Sequence, residues 1–250
     1  MTIRRCIICL AGFVAAAAVT LQAQPQTITL NFNSRPSAQG WKYEASGSPN
    51  PFSDDKVIFT TDGTTLHQDT IQANKPNANL YQTGGGDNLY RFPNVVEREH
   101  PFTITVRVAI RAVASCTVPG GKPCTGVSTC GFTFGANTGT ESYGVCLNRD
   151  VADANSGGNT VYFMGGPTAP PMAFSNADFH TYQLEVMPGM GAKLYRDCQL
   201  VRQGAVTKST DSNGLYLGDG TGGANAVADV QMYSYKALSA SCPLPGSGGR

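Results

Sequence analysis

The strongest constraint on the fold is the alternation of side chains over residues 102–113, FTITVRVAIRAV. Apolar side chains occupy one set of alternate positions and mostly polar ones the other: Phe102, Ile104, Val106, Val108 and Ile110 against Thr103, Thr105, Arg107, Ala109 and Arg111. This period of two is that of a β-strand with one buried and one wet face. No window carries a helical apolar stripe without an interrupting glycine or proline, so the sequence predicts an all-β chain.

Shorter β-rich stretches follow the same pattern, separated by glycine, asparagine and aspartate. They cover residues 27–32, 56–60, 131–135, 143–147, 160–164, 180–186, 192–196, 199–203, 215–217 and 227–235. Asp197 and Cys198 stand at a two-residue hairpin turn between two of these stretches. Many short strands of this kind predict a sandwich or a barrel.

The composition excludes several classes of protein and partner. Charged residues make up 14% of the chain, which rules out a coiled coil or a long charged helix. The formal net charge is +1 and two of the basic residues lie in a predicted leader, so we do not expect nucleic acid as a partner.

Residues 1–23 have the features of a secretory signal peptide. Arg4 and Arg5 precede an apolar run from Cys6 to Val19, and Ala23 fits the last residue of the signal. The run is too short for a membrane span, and no second one follows. We therefore predict a secreted, extracellular or periplasmic protein, with one domain over 24–242 and a flexible tail over 243–250.

In the oxidising compartment that the signal peptide implies, the cysteines are expected to form disulfides. The cysteines after the predicted signal peptide are Cys116, Cys124, Cys130, Cys146, Cys198 and Cys242. An even number of them predicts disulfides, and three crowd one Gly/Pro-rich loop, which favours a local bridge. The sequence does not choose among the pairings. A zinc site is disfavoured because C-x-x-C pairs and nearby histidines are missing.

Three stretches resemble the concanavalin A-like lectin/glucanase superfamily, which includes the laminin-G and pentraxin-like jelly rolls. FHTYQLEV (179–186) and AKLYRDCQLVRQG (192–204) resemble its W-H-x-Y hairpin and the "hLYVDGxLV" that follows. GFTFGANTGTESYGVCL (131–147) is similar to the central hairpin of bacterial secreted members, and residues 212–235 resemble the closing strands. The resemblance covers most of 27–235 and implies a two-sheet antiparallel jelly-roll sandwich.

Two residues depart from the superfamily pattern. Phe179 stands where the family often has tryptophan, and Cys198 replaces the usual glycine of the turn. Glycine is favoured there because the second turn residue needs a positive φ. A cysteine at such a position suggests a disulfide, with Cys146 and Cys242 as the candidate partners.

The resemblance allows a hydrolase or a lyase, but the sequence offers no convincing catalytic set. Glycanases of the superfamily carry a strand motif E-x-D-x-E, whereas the one glutamate pair spaced two apart here, Glu97 and Glu99, precedes Pro101 and indicates a solvated turn. Jelly-roll lyases use Arg, Gln, His and Tyr, and the residues of matching type are Arg107, Arg111, His180 and Tyr182. We assign no catalytic residue.

Sugar binding needs a flat aromatic ring and polar groups for the hydroxyls. The candidates are Trp41, Arg107, Arg111 and Tyr143, although Trp41 also fits a core position and the arginines also fit a solvated face. The resemblance further implies one structural Ca²⁺ held by Asp229, which matches an aspartate of the family's last strand.

Together these features predict a secreted carbohydrate-binding, lectin-like module without catalysis. A glycan would lie on the concave sheet face or the rim loops. The alternatives left open are a jelly-roll polysaccharide hydrolase or lyase, and a structural or adhesive protein that binds protein partners.

Overall fold

The computed structural model describes residues 26–45, 54–71, 88–115, 117–118, 122–123, 130–149, 161–164, 175–204, 207–220 and 224–237. The predicted signal peptide (1–23), the predicted tail (243–250) and three of the predicted disulfide cysteines, Cys116, Cys124 and Cys242, lie outside these ranges. In the described part of the chain, no helix has the length and apolar character that crossing a membrane requires.

The described residues form β-strands in the following order: β1 (Thr27–Leu30), β2 (Lys42–Ala45), β3 (Phe59–Thr61), β4 (Leu66–Asp69), β5 (Asn88–Pro93), β6 (Phe102–Ser115), β7 (Thr117–Val118), β8 (Lys122–Pro123), β9 (Phe132–Asn137), β10 (Glu141–Leu147), β11 (Val161–Phe163), β12 (His180–Met187), β13 (Gly191–Arg196), β14 (Gln199–Gly204), β15 (Thr207–Lys208), β16 (Gly214–Asp219) and β17 (Ala224–Ala237). Two 3-10 turns lie at Pro36–Gln39 and Asp55–Val57. The predicted all-β class is confirmed.

The strands build two antiparallel sheets that pack as a sandwich. Sheet A has the order β14-β13-β12-β6-β17-β4-β3, with β1 also paired to β17. Sheet B has the order β11-β10-β9-β16-β5-β2, with β15 also paired to β10. Within the described ranges, the short strands β7 and β8 pair only with each other. The predicted two-sheet sandwich is therefore confirmed.

The core lies between the sheets and follows the sequence alternation. The five apolar positions predicted for one face of β6 are all buried: Phe102, Ile104, Val106, Val108 and Ile110. The inner face of sheet B meets them with a second apolar set: Phe132, Phe134, Val145, Leu147, Leu215 and Leu217. Burial of these side chains supplies the main stabilisation of the sandwich, about 1.5–3 kcal/mol for each large one.

The hairpin between β13 and β14 has the predicted two-residue turn. Asp197 and Cys198 have φ angles of 48° and 63°, so both adopt the left-handed conformation of a type I′ turn. Asp197 stabilises the turn from outside, since its Oδ1 accepts from the backbone N–H of Thr181 at 3.0 Å and its Oδ2 accepts from Nδ1 of His180 at 2.7 Å.

Candidate functional site

The predicted sugar-binding arginines lie on the outer face of sheet A, the face turned away from the core. Arg107 and Arg111 belong to β6, with Ala109 between them on the same side. The ring of Phe179 packs against both guanidinium groups, its centroid 5.6 Å from Cζ of Arg107 and 4.9 Å from Cζ of Arg111. These are cation–π distances. Ala109 is fully buried, and its small side chain leaves room beside a large ring.

Two β-bulges in the ladder between β6 and β17 lie beside the two arginines and direct single side chains toward them. The pairing skips Arg111 on β6 and Gln231 on β17. Each bulged residue bonds across to the other strand: Nε of Arg111 donates to Oδ2 of Asp229 at 2.7 Å, and Oε1 of Gln231 accepts from Nε of Arg107 at 3.1 Å. Bulges are common beside binding sites because they redirect single side chains.

Asp229 also binds a histidine on the neighbouring strand β4. Nδ1 of His67 donates to Oδ1 of Asp229 at 2.7 Å, and Nε2 of His67 faces Oδ2 of Asp62 at 3.4 Å. Partial burial acts to lower the pKa of His67, but the hydrogen bond and charge of Asp229, followed by those of Asp62, outweigh it and raise the pKa above 6.5. A histidine held between two carboxylates is stabilised as a cation, which makes it a poor general base.

Asp62 is fixed by its own turn. Its Oδ1 accepts from the backbone N–H groups of Thr64 and Thr65, both at 2.8 Å, and from the Thr64 hydroxyl at 2.9 Å. The backbone and hydroxyl of Thr64, then the backbone of Thr65, hold the pKa of Asp62 well below its ordinary 3.8. Asp62 is thus an anion that supports His67 from the turn between β3 and β4.

The loop before β12 is fastened to the β6 bulge. Nη1 of Arg111 donates to the carbonyl oxygen of Ala177 at 3.0 Å, and the backbone N–H of Ile110 donates to that of Asn176 at 2.8 Å. Arg149 covers the bulge by donating to the carbonyl oxygens of Ile110 and Arg111. The hydrogen bonds to Asn176 and Ala177 hold the loop that leads to Phe179 against β6. We name the resulting set the arginine cluster: Arg107, Arg111, Phe179, Asp229, His67 and Gln231.

Two of the predicted sugar-binding residues, Trp41 and Tyr143, lie elsewhere. Trp41 is 3% exposed and packs edge-on against Phe92 and Tyr233, with ring centroids 5.4 and 5.1 Å away. Tyr143 is 2% exposed, packs against Phe102 and donates its hydroxyl to Glu141. The prediction of sugar contacts at Trp41 and Tyr143 is therefore corrected, because both are core residues.

Asp229 is also the residue to which the resemblance assigns one structural Ca²⁺. Both of its carboxylate oxygens accept from protein donors, so a cation there would meet the guanidinium of Arg111. Within the described ranges, no group of three or more His, Cys, Asp and Glu side chains is placed to hold a metal ion. In the structure Asp229 holds Arg111 and His67, through one carboxylate oxygen each, and the Ca²⁺ at this residue stays a prediction.

The residue types predicted for a lyase do not gather at one place. Tyr182 is buried and donates its hydroxyl to Asn176 at 2.7 Å, and His180 is bonded to Asp197 at the hairpin turn. The glutamates Glu97 and Glu99 lie on the loop after β5, where Glu97 pairs with His100 at 2.9 Å. That geometry agrees with the predicted solvated turn.

The outer face of sheet B carries a second row in strand register: Lys42, Arg91, Tyr216, Gly135 and Gly144. The Tyr216 ring lies below Arg91 at 5.9 Å and reaches over Gly135 and Gly144, where a Cβ would collide with its hydroxyl. Nε of Arg91 donates to Glu44 at 2.8 Å. Tyr216 is only 6% exposed, so we place the candidate binding surface on sheet A.

One disulfide joins described residues, between Cys130 and Cys146. It agrees with the prediction that Cys130 forms a bridge, although its partner lies on β10 rather than in the same loop. It corrects the suggestion that Cys146 pairs with Cys198, which lies exposed at the hairpin turn.

Three members of the arginine cluster are not among the site residues predicted from the sequence. Phe179 was noted only as a departure from a tryptophan pattern, and His67 and Gln231 carried no spacing signal. The spacing Arg-x-Ala-x-Arg in β6 is the signal that could have found Phe179, because a small residue between two arginines leaves space for a ring. His67 and Gln231 come to the site through strand pairing and a bulge, which local sequence does not reveal.

No protein-family model matches the chain, and no curated protein matches it. Solved structures similar to the chain include a prokaryotic β-1,3-1,4-glucanase (lichenase) from a mouse hindgut metagenome. That enzyme is 12% identical, with 85% of this chain and 99% of that chain covered and a TM-score of 0.47.

Two further structures are the carbohydrate recognition domain of Emp47p and a β-glucanase from Bacillus licheniformis. The first is 8% identical, covering 84% of this chain and 94% of that chain at a TM-score of 0.45. The second is 12% identical, covering 84% and 97% at a TM-score of 0.43. A likeness at this level assigns no activity to this chain.

Proposed function

We propose that the chain is a secreted carbohydrate-binding protein that holds a glycan on the outer face of sheet A without cleaving it. The observation that carries this proposal is the arginine cluster itself. It presents a half-buried aromatic ring and two guanidinium groups on an accessible sheet face. Each guanidinium is held by a hydrogen bond, that of Arg107 to Gln231 and that of Arg111 to Asp229.

The chemistry of the cluster suits a sugar ring. A guanidinium offers up to five N–H donors in a planar fork, which can bond neighbouring hydroxyls or a carboxylate. The apolar ring of Phe179 offers a surface for sugar C–H groups. Thr105 lies next to Arg107 on the same face, opposite Ser234 on β17, and these two partly exposed side chains supply further polar groups.

Hydrolysis or elimination remains the alternative function. The carboxylates at the cluster, Asp62 and Asp229, both face His67 and already accept from protein donors. A glycosidase needs one carboxyl group to donate a proton and a second to act as nucleophile or base. The bonding of Asp62 and Asp229 favours the binding function, and product release is the direct way to decide.

Two exposed methionines favour the other alternative, a protein that binds protein partners. Met187 and Met190, at the tip of the hairpin between β12 and β13, are 52% and 81% exposed beside a groove that also includes Gly204. Apolar surface of this kind is found at protein interfaces, although scattered exposed side chains are also normal.

The test is to incubate the protein from Gln24 onward with a panel of soluble and insoluble polysaccharides. Bound protein and released sugar are measured in the same tubes, with Ca²⁺ or EDTA. We expect retention without reducing ends or unsaturated products. Released product would replace the binding function with the enzymatic one. Loss of retention in EDTA would support the calcium prediction, and no retention on any polysaccharide would favour a protein partner.

A matched pair of variants locates the surface. Phe179→Ala removes the ring of the arginine cluster, whereas Tyr162→Ala removes a half-buried ring of β11 on sheet B. We expect the first to lower retention and the second to leave it near the wild-type level. Equal retention by both variants would place the glycan elsewhere.

A further inference from the structure

Arg107 differs from Arg111 in how its charge is compensated. Arg111 is bonded to the carboxylate of Asp229 and to a backbone carbonyl, so much of its donor capacity is used. Arg107 has one side-chain hydrogen bond, from Nε to the neutral amide of Gln231. Among the described residues, no carboxylate pairs with Arg107. Its two terminal NH₂ groups thus donate to no other described residue, and no paired carboxylate compensates the charge of the guanidinium.

We propose, on the basis of the carbohydrate-binding function above, that the glycan is acidic and that its anionic group pairs with Arg107. An oxygen anion accepts two parallel N–H bonds from a guanidinium fork, which is stronger and more directional than bonding to a neutral hydroxyl. The shared chemistry is an anionic oxygen group on a sugar, either the carboxylate of a uronic acid or a sulfate ester.

The guanidinium is ordered before a ligand arrives. Gln231 fixes Nε of Arg107 from the bulge on β17, and the ring of Phe179 supports the guanidinium carbon. Both contacts restrict a side chain that otherwise has many rotamers, so less conformational entropy is lost on binding. The acidic side chains of the cluster are engaged at the opposite side, where Asp229 accepts from Arg111 and His67.

The experiment compares ligands that differ only in charge. Binding of the protein from Gln24 onward is measured by calorimetry with polygalacturonate and its methyl-esterified form, and with dextran sulfate and dextran. We expect the charged member of at least one pair to bind about 10- to 100-fold more tightly, since a charge-assisted hydrogen bond contributes about 1.5–3 kcal/mol. The pair that shows the difference identifies carboxylate or sulfate.

The variants separate a specific pairing from general attraction. Arg107→Gln removes the fork and the charge, Arg107→Lys keeps only the charge, and Lys236→Gln removes a different positive charge from an exposed β17 position of sheet A. We expect a loss of about tenfold or more in Arg107→Gln, an intermediate loss in Arg107→Lys, and little loss in Lys236→Gln.

The outcomes distinguish this inference from the proposed function. Equal binding of charged and neutral ligands, or equal losses in Arg107→Gln and Lys236→Gln, would overturn the pairing with Arg107 while leaving carbohydrate binding intact. Absence of binding to every glycan, charged or neutral, would overturn both.

Discussion

Arg111, the extra residue of the β6 bulge, donates from Nε to Oδ2 of Asp229 on the neighbouring strand at 2.7 Å. Asp229 is the side chain that joins the two ends of the arginine cluster, because its other oxygen accepts from His67 at 2.7 Å. The arginine is thereby held beside Phe179, and an exposed side chain becomes an ordered part of the surface.

Replacing Asp229 by asparagine tests this anchoring role. An amide oxygen carries no charge, so Asp229→Asn weakens its hydrogen bonds to Arg111 and His67. The pair is partly exposed, and we expect the free energy of unfolding to fall by about 1 kcal/mol. Glycan retention should fall more clearly, because Arg111 is released from the ring of Phe179. Asp211→Asn, at an exposed loop position, is the control, and equal retention by the two variants would refute the anchoring role.

The pH dependence of stability follows from His67. Because its pKa is raised in the folded state, its stabilising contribution is fully present below the unfolded value near 6.5 and is lost as the pH rises through the folded value. The lowered pKa of Asp62 affects stability in the opposite direction. Its stabilising contribution is lost as the pH falls through the folded pKa of Asp62, which lies below 3.8. The ion pairs of His67 should therefore be most stabilising between about pH 4 and 6.5.

Denaturant unfolding of wild type and His67→Gln from pH 4.5 to 8.5 measures this contribution. We expect the difference in stability between them to shrink as the pH rises from 6.5 through the folded pKa of His67. An NMR titration should place that pKa above 6.5 and show it lower in Asp229→Asn. A titration at or below 6.5 in the wild type would contradict the prediction.

The sequence predicted the strands well where the alternation was strong. The period of two in β6 and β12 identified their buried faces, and the Asp197-Cys198 turn identified the hairpin between β13 and β14. Local alternation did not show the bulges at Arg111 and Gln231, because a bulge depends on how two distant strands pair. Beyond the bulge the pattern of β6 shifts, and Val113 packs against the core.

Site prediction was less successful because aromatic residue type does not distinguish a core ring from an exposed one. Trp41 follows Gly40, whose φ of 85° ends a 3-10 turn and directs the chain so that the indole enters the core. Tyr143 carried a usable signal, since it alternates with Val145 and Leu147 on what proved to be the inner face of β10. His67 and Asp229 are 162 residues apart, and only strand pairing brings them together.

The disulfide between Cys130 and Cys146 should contribute strongly to stability. It closes a loop with a sequence separation of 16, and the loss of chain entropy in the unfolded state then corresponds to about 3 kcal/mol. We expect the double variant Cys130→Ala and Cys146→Ala to lose about that amount in urea unfolding. Peptide mapping without reduction should recover the Cys130–Cys146 peptide. A peptide joining Cys146 to Cys198 would instead restore the pairing suggested by the sequence.

Because Trp41 lies in the core, its fluorescence should not change when a glycan binds. Trp41 is the only tryptophan and is 3% exposed, so we expect no shift of its emission when a glycan binds. Trp41→Ala should cost about 3–5 kcal/mol of stability, as for other large core aromatics. The milder Trp41→Phe should fold and keep glycan retention. An emission shift on binding, together with lost retention in folded Trp41→Phe, would return Trp41 to the binding surface.

The contact between Tyr216 and Gly144 predicts an energetic coupling on sheet B. A Cβ at Gly144 would overlap the Tyr216 hydroxyl and lie 2.9 Å from Sδ of Met164, so Gly144→Ala should cost about 1–3 kcal/mol. Tyr216→Phe removes the overlapping oxygen, and the double variant should therefore recover about 0.5–2 kcal/mol relative to the sum of the single changes.

Gly135→Ala is the matched control for that coupling. A Cβ at Gly135 would meet the backbone carbonyl of Tyr143 as well as the Tyr216 hydroxyl, and a backbone atom cannot move aside as a side chain can. Tyr216→Phe should therefore recover much less stability in Gly135→Ala than in Gly144→Ala. Unfolding free energies of the five variants measure both couplings. Equal recovery in the two backgrounds would contradict the backbone contact at Gly135. Recovery in neither would mean that the Tyr216 ring moves away from both glycines, and the outer face of sheet B would then be open to a ligand.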